Sequence, residues 1–456
     1  MPHFGRQKRT DAGGEAAVLR AKVVLTRADA IENAGVWVEG GVVKAVGDFA
    51  QLSSDMPSLP VRDLGEVALL PGFVNAHVHL ELSHLCGKTP FTGSFAAWIG
   101  AVGDEGSSVS RRQLEMAATE GVAESRKFGT AVVGDVGLRG RTSAPLAEGG
   151  LGGVVFSEAI GLDPRICRRM LWWTRRRIAT SKKTERLRPG ISPHAPYTTS
   201  AELYRACLYL ARHWRLPLMT HAAETKEEEE FVRKGTGPLI DLAKKRGWLK
   251  GKWEPPGQSP VEYLVELGVL APVGATRWVA RGCNAGRSEA SRGLEVPLGT
   301  SCRAPTMSNV ILAHLNYPSP TDVELVAKSG ASVAFCPRSH RFFRHDPYPL
   351  SSLLSAGINV CLGTDSLASN DSLSVLEEAR LVAKDFPGLS PRRVFDLATV
   401  NGAQALGLAG KVGEIAPGAW ASLLTLDIAP LGSAIHGDAV LDFLLQGGDE
   451  PTPLRV

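Results

Sequence analysis

The chain has 456 residues, 44% of them hydrophobic and 21% charged, enough for one large domain with a smaller one beside it. A net charge of +4, spread over 51 basic and 47 acidic residues, is too balanced to argue for nucleic acid or a membrane surface as partner. The seven cysteines, at positions 86, 167, 207, 283, 302, 336 and 361, form no C-x-x-C pair, so neither a zinc ribbon nor a disulfide framework is expected.

The opening MPHFGRQKRTDAGGEAA lacks the apolar run of a signal peptide, and no apolar stretch reaches membrane-spanning length; a cytoplasmic protein is expected. Residues 18–48 are short β-branched runs broken by Gly pairs, the pattern of a small antiparallel sheet. The run 68–83, ALLPGFVNAHVHLELS, is an apolar strand that ends abruptly in polar residues. Further strand-like runs follow at 130–137, 152–161, 190–196, 216–224, 309–317, 331–339 and 358–366. Helical spacing separates many of them, as in 200–214 and 372–384.

Strands alternating with helices imply a parallel sheet, and eight such units fit a closed (β/α)8 barrel of the TIM type. A doubly wound open sheet is the alternative. The barrel is favoured because polar residues end so many different strands. Residues 401–430 return to short Gly-punctuated runs. The expected organisation is therefore a small β-sandwich-like domain built from both chain ends (15–70 and 401–456) around a barrel over 71–400. Residues 273–308, rich in Gly, Ser, Arg and Ala without a period, read as a surface insertion. The basic run 168–188, with adjacent Trp172 and Trp173, reads as a solvated helix face.

His77 and His79 close the first barrel strand. Residues two apart in a strand point the same way, so both imidazoles face one point, and neutral imidazole is a common ligand of zinc-like ions. His221 ends LPLMTH and Asp365 ends INVCLGTD; together the four offer three imidazoles and a carboxylate to one divalent metal. Glu224, three residues past His221, is placed to reach the water without binding the ion, and His314, ending NVILAH, approaches from the far side. One buried His or Asp at a strand end can be explained by a local hydrogen bond. Five or six at one rim are better explained by a metal.

PGFVNAHVHLELS, THAAE, ILAH and GTDSLASN, in that order, resemble the amidohydrolase superfamily and within it the deaminase and chlorohydrolase branch. SPHAPYTTS and FCPRSHRFF narrow the resemblance toward the aminodeoxyfutalosine deaminase and adenosine-derivative deaminase group. The resemblance covers roughly residues 15–430. It implies a hydrolytic deaminase acting on a small amino-substituted N-heterocycle, with one metal, Zn2+ or Fe2+, on His77, His79, His221 and Asp365. It further implies Glu224 as proton shuttle, His314 polarising the water and Asp365 taking a proton from it. His194, Trp98, Ser366 and Arg338 are then expected on the substrate, with His340 and Arg341 within reach. Glu158 and His194 stand where two-metal relatives carry a bridging lysine, which argues for one ion. The tail reads Gly-Ala-Trp-Ala where relatives commonly have Gly-x-Ala-Asp. Homo-oligomers are common in similar enzymes.

The same site on another C–N or C–Cl bond (a chlorotriazine, a guanine-like base, a cyclic amide) is the rival enzymatic reading. A non-catalytic binding barrel would need an incomplete polar set. The other zinc deaminase signature, H-x-E with P-C-x-x-C, is absent.

Overall fold

The computed structural model describes residues 16–250, 254–272, 309–432 and 437–455; the segment 273–308, expected as an insertion, lies outside the described residues. Strands β1 (Ala17–Leu25), β2 (Ala30–Glu39) and β3 (Val42–Asp48) form the expected antiparallel meander. β1 also pairs in parallel with β4 (Val61–Asp63) and β5 (Val67–Pro71).

Eight parallel strands follow: β6 (Phe73–Val78), β7 (Thr130–Gly137), β8 (Gly152–Ala159), β9 (Leu187–Pro193), β10 (Leu218–Ala222), β11 (Val310–His314), β12 (Ser332–Phe335) and β13 (Val360–Leu362). They lie in sequential order, each beside its chain neighbour, with helices between most of them. β14 (Leu423–Asp427) and β15 (Thr452–Pro453) return to the first sheet, where β14 runs antiparallel to β5. Both chain ends thus build one seven-stranded sheet beside a (β/α)8 barrel.

Closure of the barrel happens at the carboxyl ends of the first and last strands. The His77 carbonyl accepts the amides of Thr364 and Asp365, both at 3.1 Å, and a parallel bridge joins Val78 to Asp365. The Asn75 side chain reinforces the seam, donating to Thr364 Oγ1 at 2.8 Å and accepting the Thr364 amide at 3.1 Å. This approach leaves no room at Gly363: a Cβ there would lie 2.7 Å from the His77 carbonyl oxygen.

The barrel interior is packed. Val74, Val132, Val154, Phe156, Met219, Ile311, Ala334 and Cys361 fill it as one buried cluster. Its floor is closed by Ala403, Ala405, Leu406 and Val412. Residues 401–412, expected with the small sheet, therefore correct that reading: Val400–Ala405 is a helix whose small apolar side chains fit the narrow amino end of the barrel. Among the described residues, 423–427 and 452–453 of the tail join the sheet as strands, and Trp420 forms an antiparallel bridge to Val42 at its edge. The basic run carries the helix Cys167–Thr180, which buries Leu171, Thr174 and Ile178 and leaves Trp172 and Trp173 exposed. Among the described residues, no helix is long and apolar enough to cross a membrane.

Candidate metal centre and active site

The polar strand ends converge. His77, His79, His221, Asp365, Glu224, His314 and His194 are all buried, on strands β6, β9, β10, β11 and β13 or the turns just beyond them. His79 Nε2 and His221 Nε2 lie 3.4 Å apart, and His77 Nε2 and His79 Nε2 each lie 3.8 Å from Asp365 Oδ1. Two imidazole nitrogens facing at that separation have no use for each other beyond one shared proton. A cation between them does.

What surrounds these rings fixes which atoms face inward. His221 Nδ1 donates to the His194 carbonyl at 2.9 Å, leaving Nε2 with its lone pair toward the centre. The His79 ring is hydrogen-bonded to the backbone of Val136. His77 Nδ1 touches Met219 Sδ at 3.1 Å, while its Nε2 is buried without a hydrogen-bond partner among the described residues. Such an orphan is costly in an apolar barrel, and a metal ion would satisfy it. Asp365 is anchored through its other oxygen: Oδ2 accepts from Ser339 at 2.7 Å and Ser369 at 2.8 Å, so Oδ1 is the atom turned to the histidines. The donor set thus fits one divalent cation on His77, His79, His221 and Asp365. Groupings within 4.8 Å also join His314 to His77 and His221, and Glu158 and His194 to His221.

Burial, followed by the neighbouring imidazoles, holds His77 and His221 well below the ordinary histidine pKa, in the neutral form a metal binds. His314 is lowered to about 4 and His194 to about 3, burial again leading. Burial works against the Asp365 charge, but His314, His79, His77 and the Ser339 hydroxyl bring its pKa to about 2. Burial, then Asp365 and Glu228, push Glu224 well above the carboxylate range. Glu224 Oε1 faces His314 Nε2 at 3.5 Å, and its Oε2 accepts from the Tyr197 hydroxyl at 3.2 Å. Glu224, His314 and Asp365 thus line one cavity.

These groups form the floor of a cavity of about 350 Å³, within the usual range of small-molecule sites. Its walls include Leu82, Phe95, Trp98, Ile99, Val102 and Tyr197. The helix Phe95–Ser108 forms one side; Trp98 donates from Nε1 to the Thr89 carbonyl at 3.1 Å and packs edge-on to Phe343. Ser366 and His194 line the cavity.

Arg338, expected on the substrate, does not line this cavity. It opens onto a separate cavity of about 720 Å³, pairs with Asp371, and gives its amide to Glu378 at 2.8 Å. Arg341 lines that second cavity and pairs with Asp385, while His340 packs among Phe335, His345 and Tyr348. Sequence reasoning also passed over Tyr197, Glu81, Ser339 and Ser369. Ser339 stands beside Arg338 in a motif already singled out, and Tyr197 follows His194 by three.

A model of the amidohydrolase family matches residues 68–449, most of the chain. The chain belongs to the amidohydrolase family. It is 31% identical over 388 residues to an aminodeoxyfutalosine deaminase of Deinococcus radiodurans, covering 82% of this chain and 81% of that one. Among solved structures, the aminofutalosine deaminase of Helicobacter pylori in complex with methylthio-coformycin superimposes with a TM-score of 0.77. It shares 22% identity and is covered over 97% of its length and 95% of this one. An adenosine deaminase from Xanthomonas campestris with bound zinc has a TM-score of 0.72 at 21% identity, with 92% of that chain and 96% of this one covered. The family is one of hydrolases, and the barrel and small sheet found here are its architecture.

Proposed function

We propose that this amidohydrolase removes the amino group of an adenosine derivative such as aminodeoxyfutalosine, using one zinc ion on His77, His79, His221 and Asp365. The observation that carries the reading is the Glu224–His314 pair, 3.5 Å apart and buried, beside the donor set on the floor of a cavity walled by aliphatic and aromatic side chains. The Deinococcus relative, named for that reaction, supports the substrate class.

When bound, the ion supplies the Lewis acidity that makes water ionise near neutral pH. Asp365 Oδ1, the oxygen turned to the histidines, would also accept a proton of the attacking water, while Oδ2 stays held by two hydroxyls. Glu224, carrying a proton, gives it to the ring nitrogen beside the amino-bearing carbon, which makes that carbon electrophilic. Water oxygen adds there; the amine takes the proton held by Asp365 and leaves as ammonia, and the proton of the added hydroxyl returns to Glu224 as the carbonyl forms. His314 Nε2 lies where it can stabilise the charge that develops on the added oxygen. The apolar walls hold the heterocycle and keep bulk water out.

Zinc-loaded protein should release ammonia from at least one of adenosine, 5′-methylthioadenosine, S-adenosylhomocysteine and aminodeoxyfutalosine. Glu224→Gln should keep its metal and lose about 100-fold or more in kcat. Chloride release from a chlorotriazine with no ammonia from any nucleoside would overturn the reading, as would a Glu224→Gln variant of unchanged turnover.

A further inference from the structure

Glu158 ends β8 and lines the same cavity, one strand away from His194 and two from His221. Its carboxyl is buried, and Oε1 has no hydrogen-bond partner among the described residues. The other acid of this wall is satisfied: Glu81 accepts the amides of Arg139 and Arg141 at 2.8 and 2.7 Å. Arg177 donates to the backbone carbonyl of Glu158 and acts on the carboxyl only through space, without a hydrogen bond to it.

Facing Glu158 Oε1 at 3.9 Å is His194 Nε2, too far for a hydrogen bond. The His194 tautomer follows from its other nitrogen. Thr198 Oγ1 donates to the Ala195 carbonyl at 3.2 Å, so it accepts from His194 Nδ1 at 2.6 Å. Nε2 is then unprotonated. The Glu158 carboxyl and His194 Nε2 therefore stand side by side on one wall of the cavity, with no hydrogen bond between them. An arrangement like this is complementary to a ligand that brings hydroxyls.

We infer that Glu158 is a specificity-determining residue that, with His194, receives the vicinal ribose hydroxyls of the substrate and selects ribosides over free bases and deoxyribosides. The inference rests on the nucleoside reading above. The reacting carbon belongs at Glu224 and His314, on β10 and β11. β8 stands across β9 from them, where the substituent on the far side of a purine would lie. A vicinal diol supplies two O–H donors side by side, matching a carboxylate oxygen and an imidazole nitrogen 3.9 Å apart. A free base or a triazine brings no such pair.

The test uses 5′-methylthioadenosine with its 2′-deoxy and 3′-deoxy counterparts, on the wild-type enzyme and on Glu158→Gln, with zinc content measured in both. Wild type should favour the riboside over at least one deoxy analogue by about tenfold or more in kcat/KM, the scale of a hydrogen bond lost at a buried acceptor. In Glu158→Gln the preference should shrink to less than about threefold, because the riboside loses and the deoxy analogue does not. Zinc should stay at one per chain. Calorimetric binding of 5′-methylthioinosine and its deoxy counterparts to metal-free protein gives the same comparison without turnover. Equal loss on riboside and deoxyriboside would mean that Glu158 only positions His194, and loss of zinc would make it a metal ligand; either overturns the inference. If Glu158→Gln fails to fold, equal wild-type binding of riboside and deoxyribosides overturns it alone. Absence of ammonia release with intact ribose discrimination would instead count against the proposed reaction only.

Discussion

Glu227 offers the sharpest perturbation outside the reacting groups. It follows Glu224 by three residues and leaves the floor of the site to grip the helix that walls it. Its Oε1 accepts the Phe95 amide at 2.9 Å and the Ser94 hydroxyl at 3.0 Å, and its Oε2 accepts the Ala96 amide at 2.8 Å. These are the first amides of the helix Phe95–Ser108, which no carbonyl within the helix can satisfy, and a negative charge there also opposes the helix dipole favourably. Glu227→Ala removes three acceptor contacts but spares Ser94, which still caps the Ala97 amide at 3.3 Å. Water replaces part of what is lost at this half-buried position, so the net cost is about 1–2 kcal/mol. That is a factor of about 5–30 in the equilibrium for opening the helix. Hydrogen exchange across 95–108 should accelerate by that factor while β6 and β13 keep their protection. KM should rise with kcat at saturation nearly unchanged, and bound zinc should stay constant. Unchanged exchange in 95–108, or a fall in kcat with KM constant, would refute the claim that Glu227 holds this wall.

Three further outcomes follow from contacts at the seam. Replacing Ser339 and Ser369 together by Ala strips Asp365 Oδ2 of both donors, and zinc affinity in a chelator competition should fall about 10–100-fold with the fold intact. Gly363→Ala drives a methyl to 2.7 Å from the His77 carbonyl and 2.9 Å from its Cβ; the chain should lose zinc and at least about 2 kcal/mol of stability in a denaturant titration. Arg338→Ala should leave kcat/KM for nucleosides within about twofold, since that side chain faces Asp371 and another cavity.

The barrel and its rim were legible because they obey two simple rules. Strand cores want Val, Ile and Leu, so a His or Asp closing an apolar run marks a carboxyl end, and residues two apart share a side. His77, His79, His221, His314 and Asp365 all follow from that. Arg338 and the barrel floor were illegible for opposite reasons. The helix Pro337–Phe342 begins at once after β12, and successive residues in a first turn point about 100° apart. Ser339 consequently turns in to Asp365 while Arg338 turns out to Asp371, although both stand the same short distance past a strand. At the floor, NGAQALGL has the Gly and Asn of a loop; only its fit against Val74 makes a helix of it. Contacts such as Glu227 to Phe95 span 132 residues of sequence with no local trace.

One feature of the chemistry is carried by backbone, and the side chains gave no warning of it. Asp365, His314, Leu315 and Ala223 all adopt left-handed φ, between 48° and 72°, and none is Gly or Asn. Each such residue costs about 1–2 kcal/mol unless its surroundings impose the conformation. Here they do: the Leu315 amide donates to the Ala222 carbonyl at 3.1 Å, and the amides of Asn316 and Tyr317 both donate to the Ala223 carbonyl, at 2.9 and 3.0 Å. The Asn316 side chain then donates to the Glu224 carbonyl at 2.9 Å. The ends of β10 and β11 are therefore tied through their main chains, and that tie sets Glu224 against His314. Neither residue contributes a side-chain contact that would do so alone, since 3.5 Å between Oε1 and Nε2 is at the limit of a hydrogen bond. The acid and its partner are held apart as much as together, which leaves both the Glu224 carboxyl and the His314 ring facing the cavity.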